Sequence, residues 1–290
     1  MAKVLKPDDT SLWPVDKLIL GYFAIMVAML IVWWGRIPEA APLLAWHIAG
    51  SALVIFQIKR PNPTTWFFRN WYPLIYVAAC YKEMANILPL ARGTDFDAQL
   101  ANLDQRIWGL QPAVWLARIQ SPALTEIEQW IYTLFVPAVL LIPFILWLQK
   151  RYPEFQYYAF LISFGYLTSY LGYVLWPARG PRLFLKDLEG LPLHGLWLFH
   201  GMQTTLDKLE SFAYDAFPSG HTELTILAAW YSRKLSNVWF GAYFAYTSAI
   251  IFATVYLRYH YTVDVFAGAI LAVLLIAATP VLYRNFKRGA

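Results

Sequence analysis

The chain has 290 residues, of which 59% are hydrophobic, 18% aromatic and 14% charged, and its mean hydropathy is +0.44. Soluble domains average roughly 45–50% apolar and about 25% charged residues, so the composition excludes a water-soluble globule, disorder, collagen and coiled coil. The net charge of +5 concerns placement about a bilayer, with no nucleic-acid partner, and the single cysteine, Cys80, excludes an intramolecular disulfide and a cysteine-based metal site.

A spanning helix needs roughly 20 mostly apolar residues. Eight stretches suggest themselves in chain order, at about 17–34, 40–58, 71–90, 128–148, 155–176, 218–232, 237–257 and 260–283. The sixth is short, and the third contains Lys82 and Glu83, which are costly in a span unless they bond other helices or touch a headgroup. The expected fold is all-α: a polytopic transmembrane helix bundle of about eight spans. The first stretch follows a polar head and is long enough to span, so it reads as a retained helix. The 14 Trp and 19 Tyr residues suit membrane interfaces, with part of them in the core.

Between the spans, 59–70 is a polar turn and 91–127 is amphipathic. There Leu103, Ile107, Leu110, Val114 and Trp115 alternate with Asp95, Asp97, Asp104 and Arg106, as short interfacial helices do. The three aspartates read as solvated. The long loop 177–217 is of a length usually tied to function; its His194 and His200 lack a ligand pattern, and His47 in the second span has no evident partner.

Eight crossings sort the ends into two sets. One carries Lys3, Lys6, Lys17, Lys59, Arg60, Arg69, Lys150, Arg151, Arg233, Lys234, Arg284, Lys287 and Arg288 against Asp8, Asp9, Asp16 and Glu154. The other carries Arg36, Arg92, Arg106, Arg118, Arg179, Arg182, Lys186, Lys208 and Arg258 with most of the acids. The positive-inside rule then puts both termini in the cytoplasm.

Three segments fall together on the opposite, extracytoplasmic face. They are Trp176-Pro177-Ala178-Arg179-Gly180-Pro181-Arg182, Phe217-Pro218-Ser219-Gly220-His221-Thr222, and Thr254 to Asp264 with Arg258 and His260. Pro218 suits a helix start, where exposed N–H groups attract an anion. Gly220 lets the backbone approach, Ser219 adds a donor, and His221 titrates near neutrality. His260 and Asp264 share a helical face at i, i+4, so the carboxylate can fix the imidazole tautomer and leave the other nitrogen as nucleophile or base. Arg179, Arg182 and Arg258 can hold phosphoryl oxygens, and phosphoryl transfer asks mainly for positioning and charge stabilisation. Glu223 follows on the same helix and suits either modulation of His221 or packing.

These segments resemble the signature of the type 2 phosphatidic acid phosphatase superfamily, K-x6-R-P, P-S-G-H and S-R-x5-H-x3-D. The second block matches at 218–221, and the third at His260 and Asp264. The resemblance implies that His260 attacks phosphorus, that Asp264 orients it, and that His221 protonates the leaving oxygen and then helps water attack. Ser219, Gly220 and the arginines would bind the phosphoryl group, with no cofactor and no metal. The third-block arginine falls at Thr254, and the first-block lysine would fall at Gly172 or Leu175, depending on whether Arg179 or Arg182 closes it. In these departures, and in Leu103-Asp104-Gln105-Arg106-Ile107-Trp108-Gly109-Leu110-Gln111-Pro112, the chain is similar to the branch containing inositol phosphorylceramide and sphingomyelin synthases.

The expectations are therefore N-terminal transmembrane and interfacial helices over 1–125, and a catalytic bundle over 126–290. The first reading is an integral membrane lipid phosphate phosphatase, in an inner or plasma membrane, with a phosphohistidine intermediate at the extracytoplasmic face. Its partners would be the bilayer and a lipid phosphate or phospholipid substrate. The second is a headgroup phosphotransferase, in which a hydroxyl replaces water. A lipid transporter without chemistry is the third.

Overall fold

A computed structural model describes residues 10–91, 95–185, 191–210 and 214–288. Lys3, Lys6, Asp8, Asp9, Arg92 and Lys186 of the charge balance lie outside the described residues.

The helices are α1 (Pro14–Val32), α2 (Ala40–Lys59), α3 (Pro63–Ala91), α4 (Asp97–Trp108), α5 (Pro112–Leu116), α6 (Pro122–Thr133), α7 (Phe135–Leu148), α8 (Tyr152–Leu175), α9 (Pro181–Phe184), α10 (Phe199–Glu210), α11 (Gly220–Ser232), α12 (Asn237–Tyr256) and α13 (Thr262–Arg288). Among the described residues no strand forms, and one isolated bridge pairs Ala178 with Asp215. All eight apolar stretches are helical. Five helices, α1, α2, α8, α12 and α13, are long and apolar enough to cross a bilayer; α6 and α7, bent by 42°, qualify together as a sixth. The chain is an all-helical integral membrane protein. The two stretches that do not qualify have plain reasons. α11 has 13 residues and rises only about 20 Å against a hydrocarbon core of about 30 Å. α3 carries Arg69, Lys82 and Glu83.

The fold divides into two compact units. One draws on Met1–Ala91, Pro143–Leu167 and Leu274–Ala290, the other on Arg92–Ile142 and Thr168–Val273. In the first unit a buried ion pair holds the start of α1. Asp16 accepts from the Arg69 guanidinium at 2.5 Å, the Tyr72 hydroxyl at 2.6 Å and the Trp13 N–H at 2.8 Å. Glu83 supplies the partner that His47 lacked in sequence, with Oε2 3.3 Å from His47 Nε2, while Lys82 points outward. Adjacent residues on a helix face apart, so the two charges of the third stretch have separate fates.

In the second unit, three helices start on serine caps. The hydroxyls of Ser121, Ser219 and Ser236 accept the N–H of Leu124, Thr222 and Trp239, which satisfies donors a helix start leaves open. α12 packs against α11 and α6. Tyr132, Phe199, Ala253, Tyr256 and Leu257 form one core cluster; Leu100, Ala101, Ala178, Ala216, Tyr261 and Val263 form another. The 177–217 loop is not structureless: α9 and α10 lie within it. The carboxylate of Glu126 on α6 accepts the N–H groups of Leu196, Trp197, Leu198 and Phe199, capping the start of α10.

Candidate active site

Ser219 and Gly268 bring α11 and α13 together. The Ser219 N–H donates to the Asp264 carbonyl at 3.0 Å. A Cβ at Gly268 would stand 2.4 Å from the Ser219 carbonyl oxygen, so only glycine permits this approach. The Ser219 hydroxyl caps α11 and accepts from Thr222 Oγ1 at 3.1 Å; its own O–H is a further donor at the helix mouth.

The junction brings His221 and His260 face to face, with His260 Nε2 3.5 Å from His221 Nδ1. His260 Nδ1 lies 2.7 Å from the Ala216 carbonyl oxygen. A carbonyl only accepts, so the proton sits on Nδ1 and Nε2 carries a free lone pair. A hydrogen bond across the 3.5 Å gap then takes its proton from His221. Asp264 Oδ2 is 3.6 Å from His260 Nδ1, beyond hydrogen-bonding range, and accepts the Tyr261 N–H at 2.8 Å. The tautomer is thus fixed by the Ala216 carbonyl instead of by Asp264, which stands behind the ring. Burial holds the His260 imidazole below its ordinary pKa, against the opposing pull of Asp215 and the Ala216 carbonyl.

His221 is flanked by aromatic rings. Tyr132 stacks on it with centroids 4.4 Å apart, and Phe135 approaches to 4.4 Å. Tyr259 stacks on Tyr132 at 4.4 Å, and the Arg182 guanidinium lies 4.8 Å over Tyr259. An Arg182, Tyr259, Tyr132, His221 column results.

Each expected phosphate-binding arginine already has a protein partner. Arg179 pairs with Asp95 at 2.8 Å, and Arg182 forks onto both oxygens of Asp207 at 2.7 and 3.2 Å. Arg258 is buried, adopts φ +68°, and bonds Gln120 Oε1 at 3.1 Å. Its carbonyl accepts the Arg182 N–H at 2.9 Å, which ties the first arginine segment to the third.

Two aspartates expected in solvent are fully buried and organise this region. Asp97 accepts from the Arg179 N–H (2.7 Å), the Gly180 N–H (2.9 Å) and the Tyr261 hydroxyl (2.9 Å). Burial raises its pKa, against these three bonds that lower it. Gly180 is required there: it adopts φ +85°, and a Cβ would meet the Tyr259 carbonyl oxygen at 2.2 Å. Asp104 accepts from the Thr262 N–H (2.9 Å), the Thr262 hydroxyl (2.7 Å) and the Val263 N–H (3.0 Å), capping α13. A signal for both existed. Asp97, Leu100, Ala101 and Asp104 are the buried residues of α4, at i, i+3, i+4 and i+7, so the aspartates continue the inward stripe of that helix. Tyr132 and Phe135 carried no such mark. Glu223 lies under the site, its carboxylate accepting from Ser169, beside a Gly220 whose Cβ would press on the Tyr173 hydroxyl. His194 and His200 are exposed.

The facing imidazoles of His221 and His260 thus lie at the start of α11 and just ahead of α13. Residues 98–278, more than half of the chain, match the family model of the PAP2 superfamily, and the chain belongs to that family. Neither the curated proteins nor the solved structures searched gave a match.

Proposed function

We propose that this protein is a lipid phosphate phosphatase that works through a phosphohistidine on His260, at the extracytoplasmic face of an inner or plasma membrane. The observation that carries the reading is the facing pair of imidazoles, with the lone pair on His260 Nε2 fixed by the Ala216 carbonyl. The Nε2 lone pair forms the N–P bond as the P–O bond to the lipid alcohol breaks. His221, as the imidazolium, gives a proton to the departing oxygen and, now neutral, takes one from water, whose oxygen attacks phosphorus and breaks the N–P bond. The phosphorylated ring is a cation while Nδ1 keeps its proton, and Asp264 at 3.6 Å offsets that charge. Arg179, Arg182, Arg258, Ser219 and the Gly220 amide receive the phosphoryl oxygens.

A second reading replaces water with a lipid or sugar hydroxyl, making the protein a headgroup phosphotransferase. It is favoured by Thr254 in the arginine position, and by the seating of the 103–112 segment, through Asp104, on the first turn of α13.

The test is phosphate release by the purified protein from phosphatidate and prenyl phosphates, alongside His260→Ala and an acid-labile phosphoprotein trap with labelled substrate. Release and trapping that both vanish in His260→Ala support the phosphatase. Trapping with release only when an alcohol is added supports the transferase. Turnover that persists in His260→Ala overturns both.

A further inference from the structure

We propose that the groove between α4–α5 and the α12–α13 pair holds the hydrocarbon tail of the lipid phosphate. The inference rests on the proposed lipid substrate and adds the place where its chain lies. The groove encloses about 540 Å³, inside the range of roughly 300–1,000 Å³ usual for small-molecule sites. Trp108 and Trp115 form one wall. The other wall is a single stripe of α12, Ser248, Ile251, Phe252 and Val255, at i, i+3, i+4 and i+7. That stripe is about 10 Å long and lies within a helix long and apolar enough to cross a bilayer.

Thr262, two residues from His260, lines the groove. Its hydroxyl bonds Asp104 and also accepts the Trp108 indole N–H at 2.7 Å. The groove therefore adjoins the His260 segment in sequence and follows a spanning helix. A lipid whose phosphate sits at His260 must send its tail along the hydrocarbon layer, and this path starts where the headgroup ends. The lining is apolar, while Trp108 and Trp115 stay 49% and 45% exposed. Thr262 on this lining is two residues from His260, and that adjacency makes the occupant the substrate chain.

The experiment uses the full-length His260→Ala protein in vesicles, with phosphatidate and a prenyl phosphate that each carry a diazirine at mid-chain. Adducts are mapped by mass spectrometry. At least one probe is expected to label residues 108–116 and 248–266, to be displaced by its unlabelled parent, and to lose at least about fivefold of this labelling, worth roughly 1 kcal/mol, in Ile251→Trp. Val255→Phe fills the same stripe with a smaller side chain and guards against a folding failure of the first variant. Labelling spread equally over outward positions such as Val238 and Phe244 overturns the proposal. So does equal labelling by a phosphatidylcholine with the same photoreactive tail, which would assign the groove to bulk bilayer lipid. The readout needs no catalysis. Groove labelling without phosphate release by the wild type sinks only the chemistry, and release without groove labelling sinks only the tail site.

Discussion

The Tyr132 ring lies against the His221 imidazole at 4.4 Å, with planes inclined by 28°, and Tyr259 stacks on its other neighbour side at 4.4 Å. Tyr132 is buried in the core cluster of α6 and α12, so the histidine leans on a fixed surface. Removing that surface leaves His221 free to rotate from the reaction line. Tyr132→Ala is expected to lower kcat by about tenfold or more, some 1.4 kcal/mol of barrier, with KM within about twofold. Tyr132→Phe keeps the ring and should retain most activity. Equal loss in both variants would place the effect in the hydroxyl and contradict the stacking role.

Asp97 holds two backbone N–H groups and a tyrosine hydroxyl at once. Asp97→Ala strands three donors in a buried place, at a cost of about 3 kcal/mol or more. The detergent-solubilised variant should melt several degrees lower and show a raised KM, because Arg179 loses its backbone anchor. An unchanged melting temperature would show that water replaces the carboxylate there.

The burial of His260 sets the direction of the pH dependence. Its pKa lies below 6.5 in the fold, so the neutral, nucleophilic form persists further into acid. A depressed histidine contributes stability that is present above its unfolded value of about 6.5 and is lost as pH falls through the folded value. The contribution of His260 to kcat/KM is therefore an acidic limb that lies below about 6.5. An acidic limb centred above neutrality would contradict this assignment.

Gly268→Ala tests the contact between α13 and the cap of α11. Its methyl group would enter at 2.4 Å from the Ser219 carbonyl oxygen. Backbone must yield, at a cost of about 1–3 kcal/mol, and the Ser219 N–H to Asp264 bond is the first to open. The expected result is a folded protein with at least about tenfold lower kcat. A control, Gly201→Ala, meets open space and should behave as wild type.

Six of the eight expected spans were legible because bilayer thickness writes itself into sequence as apolar length. The Pro218 to His221 and His260 to Asp264 segments were legible because a helix cap and an i, i+4 spacing are local. Ala216 was not: any residue offers a carbonyl, and only the tertiary fold aims this one at His260 Nδ1. Asp97 and Asp104 looked solvated because charge in an amphipathic segment usually is. Their donors, Arg179, Gly180, Tyr261, Thr262 and Val263, lie about 80 to 160 residues away, beyond any local pattern. The same distance hid the His47–Glu83 pair, whose members sit on different helices.

If Arg182 and Arg179 receive the phosphate as proposed, their pairing with Asp207 and Asp95 makes them an ion exchanger. An anion arriving at either guanidinium displaces a carboxylate instead of water, so its affinity is the difference between two ion pairs. Such a difference is small for a monoanion and larger for a doubly charged phosphate, which presents more charge to the same fork. When the phosphate leaves, the tethered carboxylate returns to the arginine. On that proposed role the arrangement would sort ligands by charge and favour release of product over tight capture.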